Sequence, residues 1–394
     1  MGVNLLVGKK YIVIGLSTPL VIISFAIIVG SANVLAQAGK LRIYYVAADE
    51  VEWNYAPSGK DQMMGMPFDG IAKLYAEPGP HRLGRIVHKA IFREYTDESF
   101  KTLKSRPPSE QYLGLLGPLF RAEVGDTIKI VFQNHVMFPV SMHPHGVFYD
   151  KASEGAPYND GDAKSQNVAV PAGGTKIYIW QVPERAGPGP GEPSSKVWLY
   201  HSHVDEYNDV NTGLVGAMVI TRRGMARVDG SPKDVDREFV AMFIIFDESR
   251  SWYLDKNIQT YAQDPKTLNK ADVDITLPDG TGSLIGLGRG FVASNHKYSI
   301  NGYLYANGPM MTMKKGERVR WYLVNLGDGF NFHTPHWHGN TVIAGGERTD
   351  VVQLSPAGML VADMIPDDPG IWLFHCHGSD HMAGGMVARY QVLP

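Results

Sequence analysis

Trp372-Leu-Phe-His-Cys-His-Gly-Ser-Asp-His-Met-Ala-Gly-Gly-Met386 holds the single cysteine of a 394-residue chain. Cys376 stands between His375 and His377, with His381 and Met386 close behind. A thiolate, imidazoles and a weak thioether are the donors of a blue-copper site, which takes two His, one Cys and a long axial Met. Cys376, His381 and Met386 supply three of those four. If the segment is extended, successive side chains point to opposite faces. Cys376 then faces one copper, while His375 and His377 face a second metal centre. The ordinary alternative is a buried structural cysteine beside surface histidines.

Working outward, the pattern occurs once more upstream. Val197-Trp-Leu-Tyr-His-Ser-His203 matches Ile371-Trp-Leu-Phe-His-Cys-His377, and Pro171-Ala-Gly173 matches Pro356-Ala-Gly358. Gly125-Asp-Thr-Ile-Lys-Ile-Val-Phe-Gln-Asn134 matches Gly316-Glu-Arg-Val-Arg-Trp-Tyr-Leu-Val-Asn325, each a turn glycine and an acid followed by a strand. Such self-similarity makes the two halves copies of one fold. Short β-branched and aromatic runs between abundant Gly and Pro predict an all-β protein. The expected boundaries are 40–225 for the first domain, 226–237 for a polar linker and 238–394 for the second. The first copy carries an extra Pro- and Gly-rich loop, Arg185 to Ser195.

The chain has fourteen histidines, and most fall into four clusters: His143/His145, His201/His203, His333/His336/His338 and His375/His377/His381. His81, His88, His135 and His296 stand outside and are read as ordinary packing or surface residues. The copies differ at the blue-copper positions. Ser202 stands where the second copy has Cys376, Val140 where it has His333, Tyr207 where it has His381 and Leu214 where it has Met386. That set cannot hold blue copper, yet the first copy keeps both His-x-His pairs. Setting aside His333, Cys376, His381 and Met386 leaves four histidines in each copy. Eight imidazoles suit three coppers: two with three His each and one with two His and water. Cys376, His375 and His377 form the catalytic core of this reading, because the covalent path between the two centres is only a few residues long.

Before the repeats, Lys9-Lys10, an uncharged run from Tyr11 to Gly30 and Ala36-Gln37-Ala38 read as a secretory signal, residues 1–39. The run is also long enough to span a bilayer as an uncleaved membrane anchor. Either way the body of the protein is expected outside the cytoplasm, secreted or in a periplasm-like space. One cysteine allows no internal disulfide, which favours a ligand role for the thiol. A net charge of −3 with no basic block gives no reason to expect nucleic acid as a partner.

Taken together, the chain resembles a multicopper oxidase, and within that group the ceruloplasmin-like branch. The resembling segments are Ile43 to Pro57, Tyr112 to Pro118, His201 to Val204 and Asp350 to Met386. In having two domains with the blue centre in the second, it is similar to the two-domain, small laccase-like oxidases. The resemblance implies two tandem cupredoxin-like Greek-key domains, each a β-sandwich or barrel. It implies a type 1 copper at His333, Cys376, His381 and Met386 and a type 2 copper at His143 and His336. It implies a type 3 pair at His145, His201, His203, His338, His375 and His377, hence four coppers per chain. The implied activity is that of a laccase- or ferroxidase-like oxidase passing electrons from a small reducing substrate to dioxygen. The two-domain relatives build their clusters between neighbouring chains of a homotrimer; a cluster within one chain is the competitor.

Three other readings compete, one of them a degenerate structural copy that serves as a binding scaffold, against which the complete ligand set argues. A copper nitrite reductase needs blue copper in the first domain and only three catalytic His. A non-enzymatic copper or electron carrier gives no reason to keep the first-domain pairs. A proton-handling carboxylate is expected near the cluster; Asp150, Asp205 and Asp380 neighbour the motifs, and each is read as a solvated or hydrogen-bonding acid rather than that relay. Met63-Met64-Gly-Met66 and Met310-Met311-Thr-Met313 offer soft thioethers for Cu(I), but filling core gaps is the expectation taken. The reductant stays open among phenols, Fe(II), Cu(I) and small nitrogen compounds.

Overall fold

The structure is a computed structural model and describes residues 39–162, 168–272, 290–327, 329 and 331–394. The expected signal or anchor lies outside the described residues. Among the described residues, no helix is long and apolar enough to cross a membrane.

Eight strands come from the first copy: β1 Leu41–Asn54, β2 Ile86–Tyr95, β3 Phe120–Glu123, β4 Thr127–Asn134, β5 His143–Pro144, β6 Thr175–Gln181, β7 Ser195–His201 and β8 Val215–Thr221. Ten come from the second: β9 Arg237–Asp247, β10 His296–Ile300, β11 Met311–Lys314, β12 Val319–Asn325, β13 Pro335–Trp337, β14 Val342–Ala344, β15 Glu347–Thr349, β16 Met359–Met364, β17 Gly370–Cys376 and β18 Val387–Leu393. The first copy forms two sheets, ordered β2-β1-β4-β6 and β3-β8-β7-β5. The second forms β10-β9-β12-β16, extended by β14-β15, and β11-β18-β17-β13. Strand for strand the order repeats, including the parallel pairs β1 with β4 and β9 with β12. The β14–β15 hairpin is the addition, and the repeat in sequence gave no sign of it.

Burial explains the strand sequences. β4, Thr-Ile-Lys-Ile-Val-Phe-Gln-Asn, alternates half-buried and buried, so it lies on a sheet with one face inward. Ile128, Ile130 and Phe132 point into the first core, where Phe120 of β3 stacks on Tyr200 of β7 with ring centroids 4.5 Å apart. By contrast β8, Val-Gly-Ala-Met-Val-Ile-Thr, is buried throughout. Its Met218 and Ile220 join the first core, while Val215, Ala217 and Val219 join the second. Val197 and Leu199 of β7 do the same, so the β3-β8-β7-β5 sheet is covered on both faces. β12 is also buried throughout although it carries Arg320. That guanidinium makes paired bonds to Asp363, Nε to Oδ1 at 2.7 Å and Nη2 to Oδ2 at 2.8 Å, and Nη1 donates to Ser194 and Ser195 of the first copy. A buried cation paired in this way loses far less than an isolated one.

Candidate metal centres

The end of β17 separates its side chains as alternation requires. Cys376 turns into the second core, and His375 turns the other way. Cys376 meets His333 and His381, all three buried with their donor atoms within 4.8 Å of one another. The Nδ1 atoms of His333 and His381 are 3.1 Å apart, and Cys376 Sγ lies 3.9 Å and 3.5 Å from them. His333 is placed by backbone bonds in both directions with Leu354, at 2.9 Å each. Its Nε2 lies 3.3 Å from Asn331 Oδ1, so an Nε2–H donated there leaves the Nδ1 lone pair facing the group. The Thr334 N–H donates to Cys376 Sγ at 3.3 Å. Met386 is wholly buried, its N–H donates to His381 O at 2.9 Å, and its carbonyl accepts from Cys376 N at 3.2 Å. The two glycines before Met386 have a reason. Gly385 has φ +113, and a Cβ on Gly384 would lie 2.4 Å from the Tyr298 ring, which itself packs on His381.

Burial sets the protonation of this group. Desolvation pushes His333 down to about 3, with the neighbouring His381 adding to it, and lowers His381 as well. Burial raises the Cys376 thiol against the lowering pull of the Thr334 N–H. Neutral imidazoles are ligand-ready, and a cation binding here displaces the thiol proton.

His143 on β5 pairs with His201 on β7, and His145 Nε2 lies 3.1 Å from His201 Nε2. His203 completes the quartet, its ring 5.0 Å from that of His143. His143 Nδ1 lies 2.7 Å from Glu154 O, and His201 Nδ1 3.0 Å from Ser202 O. With Nδ1–H donated to these carbonyls, both Nε2 lone pairs face the group. The second copy repeats the arrangement. His336 on β13 pairs with His375 on β17, and His338 Nε2 lies 2.9 Å from His375 Nε2. His375 Nδ1 lies 2.8 Å from Cys376 O, and the ring of His377 is 5.2 Å from that of His336. Burial lowers His143, His201, His336 and His375, and pushes His145 down to about 4. Uncharged imidazoles with nitrogens about 3 Å apart can hydrogen-bond within each pair, His145 Nε2–H to His201 Nε2 and His338 Nε2–H to His375 Nε2. A cation that displaces those protons meets three convergent neutral nitrogens in each copy, so the donor sets fit a soft or borderline metal such as copper.

In the first copy the same scaffold holds no thiol. The Ser141 N–H donates to Ser202 Oγ at 3.0 Å, as Thr334 does to Cys376. The Ser202 N–H donates to Leu214 O at 3.0 Å, as Cys376 does to Met386. The His203 N–H donates to Ser141 Oγ at 3.0 Å, as His377 does to Thr334 Oγ1 at 3.1 Å. Ser202 Oγ then donates to Asp209 Oδ2 at 2.6 Å, and Tyr207 is 43% exposed where His381 is 6%.

Each histidine quartet gathers where the sequence placed it, but no group with all its donors within 4.8 Å joins members of both among the described residues. Asp150 and Asp205 are hydrogen-bonding acids, as read from the sequence. Asp150 and Asp205 cap short helices, accepting from Ser153 N at 2.9 Å and Asn208 N at 3.3 Å, and Asp380 opens the helix Ser379–Ala383 beside His381. The acids that reach the quartets are Glu206, 3.2 Å from His203 Nε2, and Asp350, 3.5 Å from His336 Nε2. Glu206 follows a capping residue, a signal that could have marked it; Asp350 is near only in space. His88 and His135 pair with Glu50 and Asp49 at 3.3 and 2.6 Å, in keeping with a packing role. The methionine groups divide. Met311 and Met313 are core filler at 3% and 0% exposure, whereas Met64 and Met66 are 62% and 56% exposed and are not.

Two family models, both described as multicopper oxidase, match residues 113–224 and 288–394. A ferroxidase HEPHL1 of Mus musculus is 42% identical over 356 residues, covering 89% of this chain and 29% of the relative. Human hephaestin is 37% identical over 360 residues (90% and 29%), and the ceruloplasmin of Rattus norvegicus 38% over 356 residues (89% and 32%). The chain thus spans about a third of the length of these relatives. Among solved structures, a blue copper oxidase from Nitrosomonas europaea superposes with a TM-score of 0.52 at 17% identity, covering 90% of this chain and 86% of that one. The multicopper oxidase mgLAC gives 0.54 at 18%, covering 89% and 86%. At those identities the likeness is one of fold.

Proposed function

Because the chain belongs to the multicopper oxidases, we propose that it oxidises a small reducing substrate one electron at a time and reduces dioxygen to water. The observation that carries this reading is the buried Cys376 group, joined by a single peptide bond to His375 of a histidine quartet. In this reading His333, Cys376, His381 and Met386 hold a type 1 copper, and His143 and His336 a type 2 copper. His145, His201, His203, His338, His375 and His377 hold a type 3 pair, giving four coppers per chain. Copper supplies the electron transfer and the reduction of dioxygen. The chain's own residues set the conditions. Burial keeps the imidazoles neutral, and the Glu154, Ser202 and Cys376 carbonyls with Asn331 fix their tautomers. Glu206 and Asp350 are the carboxylates placed to hold a proton at the quartets. The ferroxidase named among the relatives supports Fe(II) among the reductants.

That no group with donors within 4.8 Å joins the two quartets among the described residues supports a second proposal, that the cluster is completed by another copy of the chain. A first-copy quartet meeting the second-copy quartet of a neighbour is a head-to-tail contact, which must close into a ring, and a homotrimer is the ring we infer. Two cupredoxin domains at 40–225 and 238–394 then act across chains. Residues 1–39 direct this assembly out of the cytoplasm, by cleavage or as an anchor.

Copper per chain, with blue absorption and EPR on the same sample, tests the reading. Four coppers with one type 1 signal, one type 2 signal and a silent pair is the expected result. Two EPR-visible coppers would point to the nitrite-reductase type, and one blue copper to an electron carrier. Light scattering at three chain masses supports the trimer, and a monomer that keeps four coppers excludes it.

A further inference from the structure

We propose that Tyr305 and Ala306 are positioning residues for the axial thioether: their backbone braces the chain on both sides of Met386 and so tunes the type 1 centre. The proposal rests on the reading of His333, Cys376, His381 and Met386 as that centre. Of the five non-glycine residues with left-handed φ among the described residues, three, Asn301, Tyr305 and Ala306, lie in the short segment Asn301–Asn307. Their φ values are +53°, +50° and +56°. Non-glycine residues keep such values only where the surroundings impose them, and such strain gathers at functional sites.

The adjacent pair directs its two N–H groups at Met386. Tyr305 N donates to Gly385 O at 2.8 Å and Ala306 N to Val387 O at 2.9 Å, the carbonyls before and after the methionine. Tyr305 Oη donates to Ala383 O at 3.1 Å. The tyrosine ring lies against Gly385, where a Cβ would come within 2.9 Å of it. Tyr305, Ala306 and Met386 are all buried, so the brace and the thioether pack in one place. The other side of the segment is anchored in the first copy. Leu304 N donates to Tyr55 O at 2.8 Å, and Gln62 N to Tyr305 O at 3.0 Å. Asn307 Oδ1 accepts from Ser58 N at 3.0 Å, and its Nδ2 donates to Lys60 O at 3.0 Å. These bonds hold the pair left-handed against its own preference.

The first copy lacks the brace where it lacks the thioether. Gly117 N donates to Val215 O at 2.9 Å, as Ala306 does to Val387, but Leu116 N turns to Leu113 O at 3.0 Å and not to Gly213 O. Neither Leu116 nor Gly117 has a positive φ. Leu214 stands there in place of Met386. The strained pair therefore accompanies the sulfur and not the fold. A long axial bond yields easily to the backbone that carries it, and the axial ligand tunes the potential of such a centre.

The test compares copper-loaded full-length chains by EPR, redox titration and chelator competition. Ala306→Pro removes one N–H and cannot take the left-handed φ; Tyr305→Leu removes the ring and the bond to Ala383 O. Both should stay blue, alter the type 1 EPR signal, raise the potential as loss of the thioether would, and weaken the type 1 copper about tenfold or more. Ala306→Gly, which adopts the same φ without strain, should keep the wild-type signal. Tyr44→Phe frees the Arg121 N–H and carbonyl in the first copy and should lower stability without moving the signal. If the proline variant does not fold, Tyr305→Leu decides alone. A wild-type signal and potential in the folded variants overturns the brace, and so does an equal shift in Tyr44→Phe. A wild type that loads copper without turning blue overturns the type 1 reading and the brace with it; a blue wild type matched by its variants overturns the brace alone.

Discussion

Two regions of this molecule share one backbone and differ in a handful of side chains. Around Cys376 the scaffold presents a thiol, two imidazoles and a thioether; around Ser202 the same backbone hydrogen bonds surround a hydroxyl. Where the second copy leaves three buried donors facing one another, the first has closed the gap with Asp209. Its Oδ2 accepts from Ser202 Oγ at 2.6 Å and from Val204 N and Asp205 N at 3.1 Å, and its Oδ1 from Trp252 Nε1 at 2.9 Å. The lesson is that the loop needs something at its centre. One copy supplies it with a carboxylate of its own; in the other, the proposed type 1 copper would fill that place, and only the second arrangement could then be loaded or emptied.

The largest test reduces one copy to the other. Cys376→Ser should abolish blue absorption, lower copper by one per chain and take oxygen uptake below detection, while the fold persists; a blue variant would break the comparison. Next, Asp209→Ala strands four donors in a buried place and should lower stability by about 3 kcal/mol, read from urea unfolding. Little loss would mean the first copy does not depend on its substitute. Asn331→Ala removes the acceptor that orients His333 and should weaken copper at the Cys376 group by roughly 10–100-fold in chelator competition.

The copies also differ in buried charge. Lys89 on β2 donates to Glu248 at 2.6 Å, whereas Lys297 on β10 donates only to the Tyr75 and Ser294 carbonyls, at 2.8 and 2.7 Å. Burial, opposed in part by Glu248, pushes Lys297 from 10.5 down to about 7. Between those values the unfolded chain binds more protons than the folded one, so stability rises with pH across the window and is lost as pH falls through it. Lys297→Met should therefore stabilise most near pH 7 and gain progressively less toward pH 10.5. A gain that does not change with pH removes the charge argument. The smallest effect is expected from Met386→Leu, which keeps copper but should raise the type 1 potential in a redox titration; a fall would argue against an axial Met386.

Much of this was legible in the sequence because ligand chemistry is local. His-Cys-His on a strand end fixes which side chains part company, and the matching Val197–His203 run exposes the duplication. What stayed hidden depended on contacts between distant segments. Asp205 beside a histidine motif was legible as a hydrogen-bonding acid, and it caps a short helix; the next residue, Glu206, is the one that turns to the quartet. Asp350 reaches His336 only because β13 and the chain after β15 are brought together. Met64 and Met311 read alike as apolar residues; only the packing of the body leaves one outside and encloses the other.

The sheet β3-β8-β7-β5 carries a consequence for how the chain folds. One set of its side chains completes the first core, and the other set, Val197, Leu199, Val215, Ala217 and Val219, completes the second. Cut at the junction, the first half would bare an apolar strand face to water and the second would lose a wall. Duplication made two copies, but that shared wall is expected to make them unfold in one transition, with neither half stable when expressed alone.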